Sequence, residues 1–198
     1  MARDASRGVR PPTELTLTER ARRSQLIAAT IDLVAERGYA GASLAGIAQN
    51  AGITKAAVLY HFPSKAHLVR AAYEHVIDAL VQEVAGAVES VEVGDGPAAY
   101  IRSMISHLHE HPHHTRMIIE AMTHDEGDGD SAERWRPLAD IIAAAHPVRA
   151  ADEGNAKNTA IIIGGAINAI VAERLQDPDY DTAAAAEQLV RMVERSTR

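Results

Sequence analysis

The sequence predicts an all-α protein of about nine helices, and three observations carry that prediction. Apolar residues recur at helical spacing almost from end to end. No stretch alternates with period two for long enough to form a strand. Ser, Thr, Gly and Pro fall where helices would start and stop. The 198 residues are 46% hydrophobic, too apolar for a disordered chain and long enough to bury a substantial core.

Thr16 and Glu19 have capping-box spacing and open the first helix, whose stripe of Leu26, Ile27, Ile31, Leu33 and Val34 runs up to Arg37-Gly38. Ser43 caps a short segment through Leu44, Ile47 and Ala48 to Gly52. Thr54 opens a third, closed by His61-Phe62-Pro63. Ser64 then caps a long fourth helix with Leu68, Val69, Ala72, Val76, Ile77, Leu80, Val81 and Val84 as its apolar stripe. The Gly94-Asp95-Gly96-Pro97 loop ends in a proline at a first helical position, and Pro112 opens another helix after His111. An acidic loop from Glu126 to Asp130 precedes a helix from Ser131 to about His146-Pro147. A helix from about Asp152 to Gln176 stops at Asp177-Pro178-Asp179, and the last begins near Asp181.

Several function classes fall away. With no cysteine there are no disulfides, thiolate nucleophiles or cysteine-ligated zinc sites. No Ser-His-Asp arrangement, phosphate-binding loop or dinucleotide fingerprint is present, so neither catalysis nor a cofactor is expected. The first 17 residues hold no apolar run, and the stretch from Thr159 to Ala172 is too short to span a bilayer, so a soluble, cytoplasmic protein without a membrane partner is expected.

A net charge of −7 argues at first sight against a nucleic-acid partner. Its distribution argues the other way. Residues 1–70 carry ten basic and five acidic side chains, a net of +5, and the remaining ten basic and 22 acidic give −12. Charge alone leaves open ordinary clustering on solvated helix faces.

Two short helices joined by a tight glycine-containing turn, inside a basic region, have the arrangement of a DNA-reading helix-turn-helix. Ala48 is small where the helices cross, Gly52 suits a turn with positive φ, and Ile47, Ile53 and Val58 can clamp the pair onto the first helix. Thr54 and Lys55 stand at the start of the second short helix, with Tyr60, His61 and Lys65 at its far end, a pattern suited to phosphate and base contacts. The alternative is that Tyr60 and His61 merely pack against the next helix.

The run Gly52-Ile-Thr-Lys-Ala-Ala-Val-Leu-Tyr-His-Phe-Pro-Ser-Lys65, with Ala-Glu-Arg-Gly-Tyr-Ala-Gly-Ala-Ser-Leu-Ala-Gly-Ile-Ala from Ala35 to Ala48, resembles the signature of the TetR family of bacterial transcriptional regulators. The resemblance implies a flexible basic arm at residues 1–15 and a DNA-binding domain at 16–63, with its helix-turn-helix at about 43–62. An effector-binding and dimerisation domain would follow at 64–198. It further implies a repressor that binds a palindromic double-stranded DNA operator as a homodimer and is released by a small-molecule effector. By motif position, DNA contacts fall on Ser43, Leu44 (through its backbone), Thr54, Lys55, Ala57, Tyr60, His61 and Lys65. Leu59 stands where many members carry an aromatic residue, and it cannot donate a hydrogen bond to phosphate.

For the implied effector pocket the candidates are Tyr100, Met104, His107, Met117, Ile118, Met122 and Trp135, although the same residues would serve an ordinary core. For the implied dimer face, the penultimate helix is apolar almost all round, which assigns Ile163, Ile167 and Ile170 with Leu189, Val190 and Val193 of the last helix. The alternative is a central helix covered within one subunit. Finally, His107, His109, His111, His113, His114 and His124 crowd one stretch beside Glu110. A helical metal-binding protein or metal sensor using the His107–His114 cluster is therefore the second reading. Pro112 interrupts the helix inside that cluster, and no metal site is assigned from the sequence.

Overall fold

A computed structural model describes residues 16–124, 131–146 and 153–197, and there the regular structure is helical. The helices are α1 (Leu17–Gly41), α2 (Leu44–Asn50), α3 (Lys55–His61), α4 (Lys65–Glu89), α5 (Gly96–Glu110), α6 (Pro112–His124), α7 (Ser131–Ala145), α8 (Glu153–Gln176) and α9 (Thr182–Thr197), with a 3₁₀ turn at Val93–Asp95. The basic arm, the acidic loop at 126–130, Pro147 and Asp152 lie outside the described residues.

Side-chain caps start the first four helices. The Thr16 hydroxyl accepts from the Glu19 amide at 3.2 Å while Glu19 Oε2 accepts from the Thr16 amide at 2.8 Å. Ser43, Thr54 and Ser64 accept from the amides of Gly46, Ala57 and His67 at 3.0, 3.1 and 3.3 Å. Pro97 falls in the first turn of α5, and Pro112 is the first residue of α6. One boundary differs from expectation. α1 does not stop at Gly38 but breaks there, at φ 69° and ψ 171°, and gains a last turn to Gly41. Apolar periodicity carries no record of such a break, because it depends on the missing Cβ.

Two clusters form the interior. The first packs Leu26 and Val34 of α1 against Ile47, Val58 and Phe62, then Leu68, Ala72 and Val76 of α4. Met117 of α6 inserts into it, so packing does not divide at residue 63. The second joins Ile101 and Ile105 of α5, Leu138 and Ile142 of α7, Ile163 and Ile167 of α8, and Leu189 and Val190 of α9. The residues assigned from the sequence to a dimer face belong to this second cluster. Ile163, Ile167, Leu189 and Val190 are 1%, 4%, 8% and 2% exposed within a single chain, and Ile170 and Val193 pack partly buried beside them. An all-round apolar helix does not reveal which face turns inward. The outward face of α8 instead presents Ile161 and Ile162, 47% and 70% exposed.

Candidate nucleic-acid interface

The α2–α3 pair is held on α1 by side chains reaching backbone carbonyls. Gln25 Nε2 donates to the carbonyl of Ala51 at 2.9 Å and Asn50 Nδ2 to that of Ala29 at 3.4 Å. At the far end of α3, Arg23 Nη1 donates to the His61 carbonyl at 2.6 Å, and its guanidinium lies 4.0 Å from the Phe62 ring centroid. Between them Gly52 adopts φ 65°, and the Ile53 amide closes the turn on the Ala48 carbonyl at 2.9 Å. Ile47 and Val58 are fully buried beneath. The turn before α3 and its C-terminal end are both pinned, so its outer side chains are carried on a fixed platform.

On that platform the residues suited to DNA contact divide. Lys55 is exposed, Tyr60 is 76% exposed and Leu59 is 41% exposed. Among the described residues the Tyr60 ring meets that of His61 edge-on, with centroids 5.0 Å apart. His61, Ala57 and the Leu44 side chain are half-buried. Ser43 and Thr54 use a lone pair for their caps, which leaves each hydroxyl hydrogen able to donate outward. The Leu44 amide, in the first turn of α2, has no partner within its own helix. Lys65 behaves differently. Its ammonium donates to the Tyr39 carbonyl and lies 4.1 Å from the Tyr39 ring centroid, bracing α4 against the end of α1.

The stretch that builds this platform, residues 26–72, matches the family model described as "Bacterial regulatory proteins, tetR family". Over that stretch the chain is similar to the DNA-binding domain of the TetR family. The chain is 39% identical over 84 residues to the HTH-type transcriptional regulator BetI of Ectopseudomonas mendocina, 42% of either length. It is 36% identical over 73 residues to the HTH-type transcriptional regulator CymR of Pseudomonas putida, 36% of either length. The match to these curated relatives spans about two fifths of their length. Among solved structures, a TetR-like transcriptional regulator from Rhodococcus sp. RHA1 aligns with a TM-score of 0.72 at 19% identity, covering 88% of this chain and 94% of that one. A TetR-family member from Streptomyces coelicolor A3 aligns at 0.66 and 22%, covering 86% and 96%. At those identities the likeness establishes the fold alone.

In the rest of the chain, five of the seven residues expected to line a pocket pack into the two clusters. Met117 is 1% exposed in the first cluster, with Ile118 packed against it, whereas Tyr100, Met104 and Trp135 pack against the second. Burial pushes the Tyr100 phenol up. The Trp135 ring instead receives the Lys157 ammonium at 4.9 Å. The side chain of Met122 lies outside the described residues. Helical periodicity told apolar from polar, but not which of two cores each residue joins. A cleft of about 1040 Å³ lies elsewhere, lined by Glu83, Arg102, His109, Arg174, Tyr180 and Glu187 among others. Within it Arg102 forms a two-pronged pair with Glu187 at 2.5 and 3.0 Å, which holds the Glu187 carboxyl below its usual range.

The histidines also separate. His113 turns to Asp32 at 2.9 Å, and His109 lies 3.3 Å from Arg174 Nε. Glu110 accepts from Ser106 rather than facing a histidine, and the side chain of His124 lies outside the described residues. His107, 1% exposed, places Nδ1 2.5 Å from Glu83 Oε2 of α4. Around it the His111 and His114 rings have centroids at 4.5 and 5.7 Å, and those two stack 5.0 Å apart. The break at Pro112 does not scatter the cluster. It folds α6 back so that His114 faces the end of α5. Burial, then the nearby His111, His107, His75 and His113, hold the His114 pKa below its ordinary value. Glu83 was not legible in the sequence, since nothing in its spacing ties it to a histidine 24 residues later.

Proposed function

We propose that this protein is a homodimeric, effector-responsive transcriptional repressor that sets α3 into the major groove of a palindromic operator. One observation carries it: Lys55 and Tyr60 both stand exposed on α3, whose C-terminal end and preceding turn are held to α1 by the Arg23 and Gln25 contacts. Residues 16–63 would read DNA, with Ser43, Leu44, Thr54, Lys55, Ala57, Tyr60 and His61 in contact and Lys65 shared between phosphate and Tyr39. Residues 64–198 would bind the effector and dimerise.

Two further features support the reading. Gly164 and Gly165 have nothing within 4 Å of where a Cβ would lie, and with exposed Ile161 and Ile162 they form an apolar, low-relief strip on α8. A second copy would cover that strip. The cleft lined by Arg102, His109 and Arg174 gives a small molecule room beside α9. Among the described residues no helix is long and apolar enough to cross a membrane, in keeping with a cytoplasmic site of action.

Fluorescence anisotropy on an operator selected from a random duplex library tests the reading across a salt series. The logarithm of affinity should fall linearly with the logarithm of salt. Lys55→Ala should reduce that slope by about 1 for each phosphate contact removed. Tyr60→Ala should weaken binding with an unchanged melting temperature. Salt-insensitive affinity, or wild-type binding by both variants, would overturn the assignment.

A further inference from the structure

We propose that His107, His111 and His114, backed by Glu83, form a binding site for a divalent transition-metal ion of the zinc class. The site is spatially separate from the DNA-reading surface and lies where α4, α5 and α6 meet.

Two atoms point to a ligand. His107 Nε2 and His114 Nδ1 are both buried, and neither has a hydrogen-bond partner among the described residues. Buried polar atoms are nearly always satisfied, so two orphaned imidazole nitrogens in one cluster form a concentration that native proteins avoid. Both belong to the group that most readily ligates zinc, cobalt, nickel and copper.

The surroundings fit that chemistry. A carboxylate can only accept, so Glu83 Oε2 places the hydrogen of His107 on Nδ1 and leaves the lone pair of the neutral ring on Nε2, the orphaned atom. A carboxylate behind a ligating histidine is the usual way a ligand ring is oriented and made more basic. His107 and His111 are spaced i, i+4 at the end of α5, and the Pro112 break returns His114 to the same place. Glu83, His107 and His111 hold one potential ligand atom each within 4.8 Å of one another, a group that counts the Glu83 carboxylate and does not include His114. A tetrahedral zinc site, with Zn–N near 2.0–2.1 Å, needs ligand nitrogens about 3.3 Å apart. The three ring centroids lie 4.5, 5.7 and 5.0 Å apart, and rotation of the exposed His111 ring would bring its nitrogen towards the other two. Three protein ligands would leave a fourth position for water or an exogenous group. The other histidines bear on the choice of controls, since His113 is committed to Asp32, and His109 lies beside Arg174 and Thr182.

The test uses the full chain without an affinity tag, stripped with a chelator and titrated with zinc against a chromophoric competitor. One zinc per protomer is expected, and cobalt should give the visible absorption of a low-coordinate nitrogen-ligated site. His111→Ala and His114→Ala should each weaken zinc binding at least tenfold. Glu83→Gln should weaken it about 10- to 100-fold while keeping the stoichiometry. His113→Ala serves as the control and should bind as wild type. His107→Ala removes a buried side chain, so the outcome is judged on the other variants, each checked by circular dichroism. Uptake well below one ion per protomer overturns the proposal. So does wild-type affinity in both His111→Ala and His114→Ala, or an equal loss in His113→Ala. None of these readouts involves DNA, so failure here and failure of the repressor assignment are separate results.

Discussion

Gly38 sits at φ 69° and ψ 171°, a region of backbone space essentially reserved for glycine. A Cβ added there would stand 3.2 Å from Glu120 Oε2, the oxygen that accepts the Tyr39 amide at 2.7 Å. Gly38→Ala therefore combines backbone strain with pressure on that carboxylate and should cost about 1–3 kcal/mol in urea unfolding. Gly86 supplies the contrast. It lies inside α4 with open space around the missing Cβ, so Gly86→Ala should stabilise by about 0.5–1 kcal/mol. Equal effects at the two sites would mean that the Gly38 conformation relaxes freely on substitution.

At the scale of the helix, α8 separates what a sequence can display from what it cannot. Its outward strip and its buried stripe are both isoleucine-rich, yet Ile162 is 70% exposed and Ile163 only 1%. Ile162→Glu should give a folded protein that sediments as a monomer. Ile163→Ala should keep its oligomeric state and lose about 2–5 kcal/mol of stability. Analytical ultracentrifugation with thermal melts distinguishes these outcomes, and a monomer from Ile163→Ala alone would reverse the face assignment. The helix starts at Thr16, Ser43, Thr54 and Ser64 were legible because a cap acts on an amide three residues away. The α2–α3 pair was legible for a related reason: its turn and its small residue at the crossing are local demands. The contacts of Lys65 with Tyr39 and of His107 with Glu83 span 26 and 24 residues, and no periodicity encodes them. Apolar spacing likewise selects a buried face without naming its neighbour, so it does not say which cluster Met117 or Ile163 joins.

Over the whole molecule, α6 belongs to both halves. Towards the DNA-reading end, Met117 is buried in the first cluster, Arg116 Nη1 donates to the Ala35 carbonyl at 3.2 Å, and Glu120 holds the Tyr39 amide. Its opening turn carries His114, beside His107 and His111. One rigid rod thus touches the platform of α1 and the imidazole cluster together. Thermodynamics then imposes a symmetry: if zinc changes operator affinity by some factor, operator must change zinc affinity by that same factor. Titrating zinc with and without saturating operator, and operator with and without zinc, should return two equal ratios. A Glu120→Ala variant, which releases the Tyr39 amide, should bring both ratios towards one.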